Sequence, residues 1–562
     1  MKKRLFCLLL ALLMLSGCAQ TGIDVPEQTT QETVPPATEA VGYQTLGSGV
    51  TVRADYSNYR PVGALTAQYT RISDEWLEDL QPVGDCEMIY PFAGGATYTA
   101  WDQTESFNSF FYGIADNKGR ILADPVYESV YPLYDNRGSY DGLGNALPLW
   151  LLRKNGEVEK VPYEYDGQTY YYNRSSFRLA VASLDGSFVT PCKYTSVLGF
   201  SDAFIGLWQD DDLTAHFELV GFDGTLLLSS ADLQTDKSIS YDSYYYAYAD
   251  GLLTVPFLRD GEVPQETTAD WDESLSPSCD VYFVDLNGNP VLGPYDTATE
   301  FSEGYAFVGK DDDSWFIDRS GNHAFGTTYS YDAWGIRFFN GTVVVRTKDG
   351  RDQLLDRDGN VVMEAESLWR SGNDRILKRE GEESTLCDLA GNVLCELGTD
   401  WWPLNGSEAM LTKWGTDTYE IKTIDGSAGC TVEDATTIYP GNGLTLPDGQ
   451  EVAFFAICRS GYDFATDTVG PVKTVAYDAN CRELRSFDGA LIVSTDAFSG
   501  EAHAEREVGT SYFPLDESLN PIVKSTYCNY YNGILVACTE LGCSAYDASG
   551  NLLLCYPFLT DD

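Results

Sequence analysis

Short runs of β-branched and aromatic residues recur along the chain, and polar turn residues separate them. Typical runs are Ser-Trp-Phe-Ile-Asp at 314–318 and Gly-Thr-Val-Val-Val-Arg at 341–346. Such runs favour β-strands, because branched and aromatic side chains pack well on a pleated surface. Helical periodicity is clear in one place, Ser73–Leu80, whose apolar residues share one face. The pattern predicts an all-β fold with one short helix.

The turn motif Asp-x-x-Gly recurs between these runs. The aspartate accepts backbone hydrogen bonds at the turn start, and the glycine supplies the positive φ of a type I turn with a bulge. The motif therefore predicts β-hairpins and structural rather than catalytic roles for its residues. The clear copies are Asp116–Gly119, Asp285–Gly288, Asp318–Gly321, Asp356–Gly359, Asp388–Gly391 and Asp547–Gly550.

The spacing of the motif indicates a repeat architecture. The glycines at 288, 321, 359 and 391 are 33, 38 and 32 residues apart, a period typical of repeat proteins. Weaker copies end at Gly186, Gly224 and Gly426, while Cys481 and Leu519 replace the glycine in two others. A unit of three or four short strands buries its apolar face only against a neighbouring unit.

We therefore predict tandem β-hairpin repeats that form one or two β-propellers, with an open β-solenoid as the alternative. A single ring usually has about four to eight blades. About eleven turn copies exceed that number, so we expect either two propellers in tandem or blades that hold two copies.

Part of the chain resembles a known repeat family. The segment 301–308 reads Phe-Ser-Glu-Gly-Tyr-Ala-Phe-Val and precedes Trp315–Gly321. These residues, with Tyr112–Gly119, resemble the units of the tryptophan-glycine (WG) repeat family. The resemblance spans residues 110 to 426 and is degenerate, since tryptophan occupies the first motif position only at Trp315.

The first residues are typical of an export signal. Lys2–Arg4 are basic and precede the apolar run Leu5–Leu15, which is shorter than the ~20 residues of a transmembrane helix. The run ends in Leu15-Ser16-Gly17-Cys18, which resembles the lipobox of bacterial lipoproteins. The resemblance implies that Cys18 is lipidated and begins the mature chain, anchored by two acyl chains. An ordinary secretory signal with an incidental cysteine is the alternative.

These signals divide the chain into five predicted parts. A signal peptide (1–17) precedes a Thr/Pro/Glu tether (18–41), which has too few apolar residues to offset its chain entropy and is expected to be disordered. An N-terminal β segment with the short helix (42–110) comes next. A WG-like β-repeat region (111–430) and a divergent C-terminal β-repeat region (431–562) follow.

The charge narrows the range of partners. The chain has 85 acidic and 36 basic residues, for a net charge of −49. Such a field opposes nucleic acid and anionic lipids or wall polymers, and it suits cationic partners or divalent ions; solubility alone would also explain it. With the lipid signal, we expect an extracytoplasmic protein anchored to the cell membrane, on a Gram-positive surface.

Twelve cysteines remain besides Cys7 and Cys18, and no two have CxxC spacing. Disulfides are permitted outside the cytoplasm. Cys387 and Cys395 flank one predicted hairpin turn, and Cys538 and Cys543 flank another. Either pair could bridge, or the thiols could be buried as small apolar groups, and spacing alone leaves both possibilities open.

No motif for catalysis is present. The three histidines, His216, His323 and His503, lack zinc-site spacing, and the chain has no nucleophile elbow, phosphate loop or dinucleotide fingerprint. We predict no catalytic residue, no enzyme activity and no cofactor. The acidic runs Asp210-Asp211-Asp212 and Asp311-Asp312-Asp313 are candidate calcium ligands, but both lie where a hairpin turn is expected, so a solvated turn is the preferred interpretation.

Two tyrosine clusters are the candidate binding residues, Tyr170, Tyr171, Tyr172 and Tyr244, Tyr245, Tyr246. They lie in insertions near 163–173 and 232–278, which we expect to form loops. Consecutive tyrosines in an extended chain point to both faces, and exposed aromatic rings with polar tips suit protein or sugar contact. Packing between blades is the alternative.

The sequence as a whole favours a surface-displayed binding module for protein, peptide or glycan. A structural envelope scaffold without a small ligand is one alternative. A propeller-type glycosidase with unassigned carboxylates is another.

Overall fold

The computed structural model describes most of the chain from residue 79 onward and three short strands before it. The described residues are 42–45, 51–54, 70–71, 79–99, 106–135, 146–165, 168–263, 278–330, 336–404, 407, 410–415, 418–459, 462–463, 468–469, 472–508, 511–516, 519, 522–539 and 542–557. Regular structure in these residues is β, apart from two 3-10 turns, Ser230–Asp232 and Ser243–Tyr245. No helix among them has the length and apolar character needed to cross a membrane. The predicted helix and the predicted signal and tether fall mainly outside this part of the chain.

The strands form eleven sheets of three or four strands, which we call blades 1 to 11 in chain order. A separate hairpin precedes them and consists of β1 (Gly42–Thr45) and β2 (Thr51–Ala54). Blade 1 contains β3 (Thr70–Arg71), β4 (Ile89–Thr99), β5 (Ser106–Asp116) and β6 (Arg120–Tyr127), and blade 2 contains β7 (Ser129–Tyr134), β8 (Ala146–Tyr165) and β9 (Gln168–Ser183). Blade 3 contains β10 (Ser196–Gly199), β11 (Ala203–Gln209), β12 (Ala215–Gly221) and β13 (Leu226–Ser229). Blade 4 contains β14 (Tyr248–Ala249), β15 (Leu252–Leu258), β16 (Cys279–Asp285) and β17 (Pro290–Tyr295).

The middle blades follow without interruption. Blade 5 contains β18 (Thr297–Ala298), β19 (Tyr305–Lys310) and β20 (Asp313–Asp318), and blade 6 contains β21 (Thr342–Arg346), β22 (Asp352–Asp356) and β23 (Val361–Ala365). Blade 7 contains β24 (Ser367–Arg370), β25 (Arg375–Glu380), β26 (Glu383–Asp388) and β27 (Val393–Gly398). Blade 8 contains β28 (Trp401–Pro403), β29 (Met410–Trp414), β30 (Thr418–Thr423) and β31 (Gly429–Glu433).

The last blades have the same plan. Blade 9 contains β32 (Ala435–Pro440), β33 (Phe454–Arg459), β36 (Val472–Tyr477) and β37 (Glu483–Asp488), and a separate hairpin of β34 (Tyr462–Asp463) and β35 (Thr468–Val469) lies between β33 and β36 in sequence. Blade 10 contains β38 (Ala490–Thr495), β39 (Ala502–Val508) and β40 (Ser511–Pro514). Blade 11 contains β41 (Tyr527–Tyr531), β42 (Ile534–Thr539), β43 (Gly542–Tyr546) and β44 (Leu552–Pro557). Neighbours in each blade are antiparallel, except that β3 pairs in parallel with β6.

The Asp-x-x-Gly turns join paired strands, which confirms the predicted hairpin repeats. Between β22 and β23, Asp356 Oδ1 accepts hydrogen bonds from the backbone N–H groups of Asp358 (2.9 Å) and Asn360 (2.8 Å). The Asn360 side chain donates to the other carboxylate oxygen at 3.0 Å, and Gly359 has a φ of 80°. The asparagine after the glycine is therefore a third member of the motif. The same contacts recur at Asp318 with Asn322, Asp388 with Asn392 and Asp547 with Asn551.

The hydrophobic core lies between the blades. Phe217 of blade 3 packs in one cluster with Val255 of blade 4, and Leu386 of blade 7 packs in another with Leu411 of blade 8. Each blade therefore buries its faces against its two neighbours, as the repeat argument predicts.

The first blade also packs against the last one. Strand β4 contacts β43 and β44, and the rings of Phe92 and Tyr556 lie 4.8 Å apart. Ile89 and Leu554 are fully buried in the same cluster. The eleven blades therefore close into one β-propeller. An open solenoid and two separate rings are both excluded, because either would leave these two faces unpacked against each other.

A buried carboxylate links blades 10 and 11. Asp496, which follows β38, accepts hydrogen bonds from the backbone N–H groups of Asn532 and Gly533, each at 2.8 Å, and from that of Phe498 at 2.9 Å. Burial acts to raise the pKa of Asp496, but the backbone donors outweigh it, so its pKa lies below the ordinary value of 3.8. The ionised carboxylate thus holds the turn of one blade against the next.

Closure gives a testable contrast between two glycines with positive φ. A Cβ at Gly119 would lie 2.1 Å from the carbonyl oxygen of Leu553 in blade 11, whereas a Cβ at Gly426 would meet nothing within 4 Å. We expect Gly426→Ala to lower the free energy of unfolding only by the cost of placing alanine at a positive φ, about 1–2 kcal/mol. Gly119→Ala should lower the denaturation midpoint more than Gly426→Ala does, because the added Cβ also pushes blade 1 away from blade 11. Equal losses would contradict the closure.

The Asp496 link predicts a pH-dependent contribution to stability. A carboxyl with a lowered folded pKa stabilises the fold above its unfolded pKa, and this contribution disappears as the pH falls through the folded pKa. Asp496→Asn should cost about 2–3 kcal/mol at pH 7, and the difference from the wild type should shrink below about pH 4. Thermal unfolding at several pH values measures this. Asp356→Asn, confined to one turn, is the control, and a difference that is constant down to pH 2.5 would contradict the assignment.

Candidate functional site

Apart from blade 1, whose β3 pairs with the last strand β6, the first strand of a blade is its inner strand. First strands of neighbouring blades contact each other, as β7 does with β10 and β38 does with β41, and Asp135 forms a parallel bridge with Gly199. Blades that radiate from an axis approach one another most closely at that axis. At least half of the residues in the last strands β17, β27 and β31 are exposed, as expected for the outer rim.

The exposed aromatic side chains concentrate on these inner strands. Among the described residues, five of the seven large exposed aromatics lie on a first strand, and the two others are Tyr244 and Trp414. The five are Tyr131 and Tyr134 on β7, Trp369 on β24, Trp402 on β28 and Tyr527 on β41.

Two tryptophans of blade 8 share one face. Trp402 lies directly opposite Thr412, so Trp414, two residues further along β29, is its diagonal neighbour on the same face. Diagonal cross-strand residues are about 7–8 Å apart, within reach of each other's rings. The exposed fractions are 47% for Trp402 and 78% for Trp414. One ligand could contact both rings.

Two further tryptophans lie between blades 7 and 8. Trp369 is opposite Leu377, which packs with Leu411 of blade 8, and Trp401 packs against the same cluster. Lys422 Nζ lies 4.0 Å from the centre of the Trp401 ring, so one of the four rings already binds a cation within the protein. We call Trp402 and Trp414 the tryptophan surface, because Trp401 points to the opposite face of blade 8, toward blade 7.

The exposed tyrosines of β7 and β41 are partly shielded from solvent by neighbouring residues. Burial by surrounding protein raises the pKa of Tyr131, Tyr134 and Tyr527, although more than 40% of each side chain is exposed. Asn529 donates hydrogen bonds to the hydroxyls of Tyr527 and Tyr531. Rings with this combination of desolvation and access suit a ligand that fits between blades.

The predicted cluster Tyr244–Tyr246 divides. Tyr244 is exposed and packs edge-on to Tyr245, with ring centres 5.2 Å apart. Tyr246 is buried against Phe217, and its hydroxyl donates to the Ser240 carbonyl at 2.7 Å. The structure therefore removes Tyr246 from the candidate binding residues, because a core ring cannot meet a ligand.

The other predicted cluster, Tyr170–Tyr172, lies in a strand and not in a loop. These residues belong to β9 and pair with Tyr163, Pro162 and Val161 of β8. The expectation of a loop at 163–173 is therefore wrong, because this aromatic and β-branched stretch extends the hairpin of blade 2. The side chains themselves lie outside the described residues, as does Cys18.

The two acidic runs form hairpin turns. Asp210–Asp212 join β11 to β12, where Asp210 pairs with His216 at 2.8 Å and Asp212 accepts from the Thr214 N–H at 3.1 Å. In the second run, Asp313 pairs with Lys348 and the Asp311 N–H donates to Asp296. Within the described ranges, no three metal-ligating side chains converge.

A cavity of about 250 Å³ lies between blade 1 and blade 11. Its wall includes Glu87 and Asn117 of blade 1 and Asp547 of blade 11. Asp547 already accepts hydrogen bonds from its own turn, and Glu87 accepts one from the Asn117 side chain at 3.5 Å. The tryptophan surface is the stronger candidate site, because its apolar area is exposed.

Comparison with known proteins places the repeats. Residues 112–138 and 283–312 match the model of the family described as WG containing repeat. No curated relative matches the chain. Among solved structures, one titled as the eukaryotic initiation factor is 10% identical, covers 71% of this chain and 96% of its own, and has a TM-score of 0.30. Hsv2 of Kluyveromyces lactis is 10% identical, with coverage of 45% and 94% and a TM-score of 0.24.

A third solved structure, BamB from Moraxella catarrhalis, is 12% identical, covers 63% of this chain and 91% of its own, and has a TM-score of 0.21. Scores this low carry no argument, and the fold rests on the strand order and the closure described above. Over two stretches, in blades 1 to 2 and 4 to 5, the chain is thus similar to WG-containing repeat proteins.

Proposed function

We propose that this protein is a lipid-anchored, extracytoplasmic binding module whose ligand is a protein, peptide or glycan. The observation that carries the proposal is the tryptophan surface, where Trp402 and Trp414 are exposed side by side. Exposed tryptophans are rare in proteins without a partner, since burying apolar area contributes about 25 cal/mol per Å². WG-like repeats on a propeller support the role of an interaction module.

The chemistry of the surroundings favours ligands with positive charge. The chain carries a net charge of −49, and a cation over a tryptophan face gains electrostatic attraction. Lys422 makes this contact with Trp401 inside the protein. Sugar rings also stack on tryptophan faces, so a glycan ligand uses the same residues without needing the charge.

Substitution of the tryptophans tests the site. Trp402→Ala and Trp414→Ala should each weaken binding about tenfold or more, because aromatic anchors dominate interface energies. Binding is measured on arrays of Lys- and Arg-containing peptides and of neutral oligosaccharides, with affinities from titration of intrinsic fluorescence.

Two control variants locate the effect. Val393→Ala, on the outer strand β27 with its side chain 60% exposed, should leave binding unchanged. Tyr244→Ala tests the other exposed aromatic. Should both tryptophan variants bind like the wild type while Tyr244→Ala does not, the ligand site lies at blade 4 and the assignment to blade 8 is wrong.

The lipid anchor is tested at Cys18. In the cells that export it, Cys18→Ala should move the protein from the membrane fraction to the soluble extracytoplasmic fraction, because the thiol that takes the diacylglycerol is lost. Fractionation followed by immunoblotting measures the shift. Ser16→Ala is the control, and unchanged membrane retention of Cys18→Ala would contradict lipidation.

A further inference from the structure

Two cysteine pairs have their thiols close together. Cys538 and Cys543 lie directly opposite each other on β42 and β43, with the two sulfur atoms 2.9 Å apart. Both side chains are buried. Directly opposed residues of antiparallel strands have Cα atoms about 4.5–5.5 Å apart, which fits the Cα separation of a disulfide.

The second pair joins two blades. Cys430 lies on β31 of blade 8, and Cys481 lies in the turn between β36 and β37 of blade 9. Both residues belong to the packing between these blades, Cys481 as a buried member of the core cluster and Cys430 partly buried against it. Nothing in the spacing of the sequence pointed to this pair, because its members belong to different repeats.

Cys481 also occupies an unusual backbone position. It stands where clear copies of the turn have glycine, and its φ is 59°. Residues with a Cβ adopt this conformation at a free-energy cost that glycine avoids. A cysteine here is explained if its sulfur makes a bond that glycine cannot make.

We propose that the exported protein carries two disulfides, Cys430–Cys481 and Cys538–Cys543. In each, two thiols lose two protons and two electrons and form one S–S bond, while a disulfide of an oxidoreductase or of a small thiol compound is reduced to two thiols. Because Cys481, Cys538 and Cys543 are buried in the folded chain, exchange takes place before folding is complete. The proposal rests on the extracytoplasmic location proposed above.

The pair Cys387 and Cys395 provides an internal control. Cys395 lies opposite Leu386 on the neighbouring strand, so Cys387, the next residue, points to the other face of the blade. These two cysteines flank the same turn but cannot bridge. Both therefore stay reduced under conditions that oxidise the two proposed pairs.

Peptide mapping of the whole protein tests the pairing. The full chain is refolded with a mixture of reduced and oxidised glutathione, alkylated, and digested without reductant. We expect peptides with Cys430 and Cys481 to be linked, and the peptide with Cys538 and Cys543 to be lighter by two hydrogen atoms and not alkylated. Free thiols at all four positions would overturn the pairing, whatever the location of the protein.

The same map of protein extracted from membranes tests whether pairing occurs in the cell. Linked peptides after refolding but alkylated thiols in the extracted protein would overturn the claim about the exported protein. Retention in the membrane depends on Cys18 and is measured separately, so failure of the anchor and failure of the disulfides are distinguishable.

A glycine substitution separates the bridge from the turn. Cys481→Gly restores the glycine found in the clear copies of the turn. If Cys481 served only to form the turn, this substitution should raise the Tm of the protein. With the disulfide, Cys481→Gly lowers the Tm of protein refolded under oxidising conditions, and the loss disappears when both proteins are refolded with reductant. Cys395→Ala should show no dependence on reductant. A higher Tm for Cys481→Gly under both conditions would overturn the inter-blade bridge.

Discussion

Burial of apolar surface between neighbouring blades is the constraint on which the rest of the structure depends. A sheet of three or four short strands has two apolar faces, and here each face is covered by the next blade, as Leu386 is by Leu411. The arrangement would leave two faces bare at the ends of the row, but β4 covers them by packing on β43 and β44. Closure is thus the condition under which every repeat has a complete core.

The local elements could be predicted from the sequence because their causes are local. The Asp-x-x-Gly turn needs only a hydrogen-bond acceptor and a residue with positive φ within five residues, so its hairpins can be predicted from the sequence. Closure into a propeller was predicted, but the choice between one ring of eleven blades and two rings was not, because the packing of Phe92 on Tyr556 joins residues far apart in sequence and leaves no periodic signal. The long β8–β9 hairpin was missed for another reason: a tyrosine-rich insertion was expected to form a loop, although its aromatic and β-branched residues favour a strand.

The candidate site shows the same division. Tyr244 and Tyr246 are the same residue type two positions apart, yet one is exposed and the other is buried against Phe217. Exposure depends on the 3-10 turn that precedes Tyr246, and residue type alone does not give it. Trp402 and Trp414 become neighbours only through the register of β28 and β29. The adjacent tryptophans at 401 and 402 were a signal, since a strand presents consecutive residues to opposite faces.

The closed order of the blades has a consequence for local unfolding. In an open array the outermost repeat has one interface and frays readily, and digestion by proteases begins at such frayed ends. Here blade 1 and blade 11 hold each other, with Asp496 adding a second tie from blade 10. No blade is outermost, so the release of any one requires two interfaces to open together. If the protein is displayed outside the cell, as proposed above, this closed order would make it more resistant to the hydrolytic enzymes there.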